Sequence, residues 1–79
     1  MTLRPTRSRQ EAYVLDHLRK VGTISGREAE DIYRIRDLPK RISVLRQEGV
    51  EIDVVLKTDT LGQRYARYAL AANKELLSA

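Results

Sequence analysis

Apolar residues along the chain follow two periods in turn, a helical one in the first half and an alternating one in the second. Val14, Leu15, Leu18 and Val21 fall at i, i+1, i+4 and i+7, the stripe of a helix with one buried face. The Ser8-x-x-Glu11 spacing ahead of them is that of a capping box, which satisfies free amides at a helix start, and Gly22 suits a left-handed end. Thr23 and Ile24 are β-branched and predict a short bridging strand. Ser25-x-x-Glu28 repeats the capping spacing and starts a second, short helix with Ala29, Ile32 and Tyr33 on its buried face.

Residues 34–36 read as a turn, after which Asp37 is placed to cap a third helix with Pro39 in its first turn. Leu38, Ile42 and Leu45 share one face of that helix, and Gly49 ends it. At about 100° per residue, Arg36, Lys40, Ser43, Val44 and Gln47 project from the other side, with Arg41 and Arg46 flanking the stripe.

The period then becomes two. Val50, Ile52, Val54 and Leu56 alternate with Glu51, Asp53, Val55 and Lys57, which predicts a strand with one buried face. Residues 64–70 alternate again, and the polar stretch 58–63 with Asp59 and Gly62 joins the two strands as a hairpin. Residues 71–79 either add a last helical turn or fray. The expected organisation is a basic, flexible arm over residues 1–7, one domain over 8–71, and a tail or short helix over 72–79.

At 79 residues the chain has room for one core. Apolar residues at 42% are too many for a disordered chain, and no apolar run reaches the roughly 20 residues of a membrane span. There is no cysteine, so neither disulfide nor thiolate chemistry is available, and a cytoplasmic protein is the simplest expectation. His17 is the single histidine and reads as a surface or boundary residue, while Glu28, Glu30 and Asp31 read as a solvated helix face. Metal-ligand spacing and a Gly-rich phosphate loop are both missing, so neither an enzyme nor a cofactor is expected. Tyr13, Tyr33 and Tyr68 read as core residues, and Tyr65 as an outward residue able to reach a phosphate.

Charge changes this picture. The net +4 and pI near 9.8 are unevenly spread, with Arg4, Arg7 and Arg9 in the arm, five cations over residues 34–46, and Lys57, Arg64 and Arg67 in the hairpin. A helix that enters a major groove needs an apolar stripe to hold it and an outward face of donors, and the third helix has both. Lys40, Ser43 and Gln47 are candidates for base edges and Val44 for a thymine methyl, with Arg34, Arg41 and Arg46 suited to phosphates.

The segments "YVLDHLRKVGTISGREAEDIY", "RISVLRQEGVEI" and "GQRYARYAL" cover most of residues 10–70. Together they resemble a winged-helix domain, and more narrowly the small helix-turn-helix proteins found largely in bacteriophages and prophages. The most distinctive residues are Leu45, Arg46, Gly49 and Ile52, then Arg64, Tyr65 and Tyr68. The resemblance implies an α+β fold, a three-helix core with a C-terminal β-hairpin wing. It implies double-stranded DNA as partner, with Arg36, Lys40, Arg41, Ser43, Val44 and Gln47 on the recognition helix. Lys57, Thr58, Thr60, Gln63 and Arg64 then fall at the wing, with Arg34, Arg46 and Arg67 beside these surfaces. A regulator of transcription is the expected role, with a homodimer as one route to longer sites. The competing roles are a phage protein that inhibits a host protein, such as RNA polymerase or a defence nuclease, and an excisionase-like architectural DNA binder.

Overall fold

The computed structural model describes residues 9–78; Ser8 and the expected arm, with Arg4 and Arg7, lie outside them. In chain order the elements are α1 (Arg9–Lys20), β1 (Thr23–Ser25), α2 (Gly26–Tyr33), α3 (Leu38–Gln47), β2 (Ile52–Thr58) and β3 (Arg64–Leu70). A 3-10 segment, Ala71–Ser78, follows, with a kink at Asn73. The α+β class and the winged-helix layout agree with the sequence reading.

The three helices bury their stripes together against one face of the sheet. Val14, Leu15 and Leu18 of α1, Ala29 of α2, and Leu38, Ile42 and Leu45 of α3 form one cluster with Ile24, Ile35, Ile52 and Tyr68. Leu38, Ile42 and Leu45 are at most 1% exposed. Each such side chain contributes about 1.5–3 kcal/mol by leaving water, enough to fix the rotation of α3 about its axis.

The sheet is antiparallel with strand order β1-β3-β2, so β2 is an edge strand. Ile24, Tyr68 and Val54 stand opposite one another, as do Ser25, Arg67 and Val55, so these two rows face opposite sides of the sheet. Ala69 points away from the helical core and is nevertheless fully buried. The 3-10 segment packs against β3 and β2 and carries the buried Leu77.

Several expectations are corrected here. Val54 and Leu56 lie on the core side of the sheet but are 47% and 62% exposed, because the hairpin projects past the helices that would cover them. Val21 follows the end of α1 and is exposed, as is Ile32 on α2. Tyr13 is partly exposed and stacks on Tyr33, with ring centroids 5.5 Å apart. His17 is interior rather than superficial: its Nδ1 lies 2.8 Å from the Tyr33 hydroxyl. Glu28 is no solvated acid, since it closes the α2 capping box with Ser25 and meets Arg67 across the domain.

Candidate nucleic-acid interface

The outward side of α3 is built by the same spacing that buries its stripe. Lys40, Ser43 and Gln47, three and four residues apart, are exposed along one line, and Val44 beside them is half-buried. Arg36 precedes α3, in the turn from α2, and extends this line beyond the helix end. Its guanidinium lies 3.8 Å from Glu30 with both side chains largely in water, a pair of little energetic weight. Asp37 holds the cap position without a side-chain cap; its carbonyl accepts from the amides of Lys40 and Arg41, and its carboxylate pairs with Arg41.

Three of the cations expected at the surface are instead tied into the fold. Arg41 turns inward to the buried Glu11 of α1, so a residue expected on the recognition face is an interhelical link. Arg46, in the last turn of α3, is exposed but donates through Nε and an Nη to the Ile52 carbonyl, at 3.2 and 2.7 Å. Arg67 donates to Glu28 at 3.1 and 3.2 Å and to the Thr23 hydroxyl at 2.9 Å, and its guanidinium lies 5.7 Å from the centre of the Tyr65 ring. Burial pushes the Glu28 carboxyl up, but the Arg67 hydrogen bonds, the Ser25 amide and the Arg67 charge outweigh it and hold Glu28 below the usual carboxylate range. Burial likewise works against the Arg67 charge and is outweighed by Glu28, so that guanidinium stays protonated more firmly than usual.

The hairpin tip is ordered by one aspartate. The Asp59 carboxylate accepts from the amides of Leu61 and Gln63, both at 2.9 Å, and its backbone accepts from Gly62, whose φ of 83° suits glycine. Thr58, Thr60, Gln63 and Arg64 are exposed around this tip, and Lys57 is half-buried just before it.

A family model described as a winged helix-turn-helix domain matches residues 9–73. The chain belongs to that family. No curated protein and no solved structure matches it. Membership points to DNA as the partner of this winged helix-turn-helix domain, in a fold that typically carries no catalysis. Among the described residues, no group of three or more His, Asp or Glu could hold a metal ion, and no helix is long and apolar enough to cross a membrane.

Within the winged helix-turn-helix domain, the exposed expected residues fall into two sets. Arg36, Lys40, Ser43 and Gln47 follow the helix, and Thr58, Thr60, Gln63 and Arg64 follow the wing tip. Arg34 is exposed between α2 and α3 at φ 62°, a left-handed conformation rare for a side chain of its size, and its amide closes α2 on Ala29 and Glu30. Arg9, expected with the arm, is instead the first residue of α1, whose start the Ser8-x-x-Glu11 spacing predicts, and its side chain is exposed. A groove of about 470 Å³ separates the wing from the start of α2, with Glu28, Asp31 and Asp59 balancing Arg27, Arg64 and Arg67 on its walls. Sequence reasoning missed Leu61, 83% exposed at the wing tip; its signal was an isolated apolar residue inside a polar loop.

Proposed function

We propose that the protein is a sequence-specific binder of double-stranded DNA, a regulator of the phage or prophage type that its sequence resembles. In this reading α3 enters the major groove. Lys40 and Gln47 meet guanine and adenine edges, Ser43 contributes a further hydrogen bond, and Arg36 takes a phosphate near the helix start. The wing tip, through Arg64 and the Thr58 and Thr60 hydroxyls, lies on the adjacent backbone. The observation that carries the reading is the exposed row Lys40, Ser43 and Gln47 on a helix whose opposite face is locked by Leu38, Ile42 and Leu45. A net charge of +4 supports it, as does family membership.

The test is a selection of bound sequences from a random duplex pool, followed by a salt titration of one selected site. An enriched motif is expected, with affinity falling at a log–log slope of roughly −0.9 for each phosphate contact. No binding at low salt would overturn the reading and leave an acidic protein surface as the target of the basic face.

A further inference from the structure

The free edge of β2 is complementary to itself. The Ala71 amide donates to the Glu51 carbonyl and, at the other end, the Asp59 amide donates to the Gln63 carbonyl, in the register of the β2–β3 ladder. Pairs in an antiparallel ladder alternate, so Asp53, Val55 and Lys57 direct their amides and carbonyls toward β3. Ile52, Val54, Leu56 and Thr58 direct theirs outward. The outward carbonyl of Ile52 is occupied by Arg46. Val54, Leu56 and Thr58 have no hydrogen bond on that side among the described residues. The seven-residue edge has no proline or glycine to interrupt it and bears the exposed Val54 and Leu56; its two charges, Asp53 and Lys57, are opposite in sign.

We infer that this edge pairs with the β2 edge of a second copy of the chain, antiparallel about Val55, to give a continuous six-stranded sheet. The register follows from three conditions. With Val54 of each copy facing Leu56 of the other, the apolar faces join on one side and four new backbone hydrogen bonds form. Asp53 then stands opposite Lys57 of the second copy, twice by symmetry, at the closer, non-hydrogen-bonded spacing. In this register the carbonyl that Arg46 holds falls at the outermost pair, Ile52 with Thr58 of the second copy, which goes without that one bond. A shift that sets Ile52 opposite Leu56 moves the occupied carbonyl next to the centre of the ladder. A shift the other way sets Asp53 opposite Asp59. The Val55-centred register keeps the central hydrogen bonds, joins the apolar faces and pairs opposite charges together. It also sets Thr58 of one wing opposite Ile52 of the other copy, so each wing tip lies by the end of the other copy's α3.

The experiment is sedimentation equilibrium of the full chain without DNA, so that it is independent of the DNA-binding reading. A dimer of 9.1 kDa chains is expected. Asp53→Lys and Lys57→Asp each place like charges opposite one another and should raise the dimer dissociation constant about tenfold, whereas the double exchange should restore it. Leu56→Pro removes only an outward amide and should also weaken the dimer, with circular dichroism reporting that the β2–β3 hairpin persists. A monomer at every concentration would overturn the proposal. So would a dimer insensitive to both single charge changes, or a double exchange that fails to recover.

Discussion

The Arg41 guanidinium of α3 lies against the Glu11 carboxylate of α1, thirty residues earlier in the chain, with the two side chains 14% and 3% exposed. Asp37, one turn before Arg41, accepts its other end at 3.3 Å. The pair joins the helix that presents donors to the helix that supports it. Removing either partner strands a charge away from water. Arg41→Ala should therefore cost about 3 kcal/mol in urea denaturation, well above the effect of an exposed arginine. A loss under about 1 kcal/mol would place Arg41 at the surface instead.

Lys40 and Gln47 occupy the outward row of α3, and Arg64 stands at the wing tip. In the proposed complex Lys40→Ala and Gln47→Ala relax preference at separate base positions, by about 1–3 kcal/mol each. Arg64→Ala weakens all sequences alike and reduces the salt slope by about one contact. Repeating the pool selection with each variant distinguishes the two patterns. Equal, sequence-independent effects from all three would remove α3 from the groove.

Arg34 holds a left-handed backbone that costs a residue with a Cβ about 1 kcal/mol. Arg34→Gly should raise the thermal midpoint, because glycine adopts this conformation without strain. On the DNA-binding reading the same change removes a phosphate contact and lowers affinity. Stability and binding moving in opposite directions is the expected signature, read by calorimetry and a duplex titration on one preparation.

Glu28 titrates below its ordinary value of 4.5 in the folded chain. A carboxyl with a lowered folded value stabilises the fold above the unfolded value, and that stability is lost as pH falls through the folded one. Wild type should exceed Glu28→Gln in stability near neutral pH, and the gap should close as pH drops below 4.5. Its side chain is 38% exposed, so screening keeps the gap to about 1 kcal/mol or less. A gap unchanged at low pH would mean that the Arg67 pairing contributes nothing.

The helices were legible because their burial repeats locally: Leu38, Ile42 and Leu45 mark the inner face of α3 before any contact is known. The Ser25 capping box and Gly22, at φ 110°, were legible for the same reason. The Arg41–Glu11 and Arg67–Glu28 pairs were not, since they join residues 30 and 39 apart and no period links them. Val54 and Leu56 alternate as a buried strand face should. Alternation tells which side of a sheet a residue faces, whereas exposure depends on how far the covering helices reach. The charged row of α3 was legible as a pattern, but the inward turn of Arg41 required the position of α1.

Arg46 grips the Ile52 carbonyl with two nitrogens, and that grip spans the turn between the end of α3 and the base of the wing. Helix and hairpin are thereby coupled as a caliper of set opening. On the DNA-binding reading, a duplex whose groove spacing departs from that opening must itself bend or narrow to be held. Sequences would then be sorted by their stiffness at positions no side chain touches.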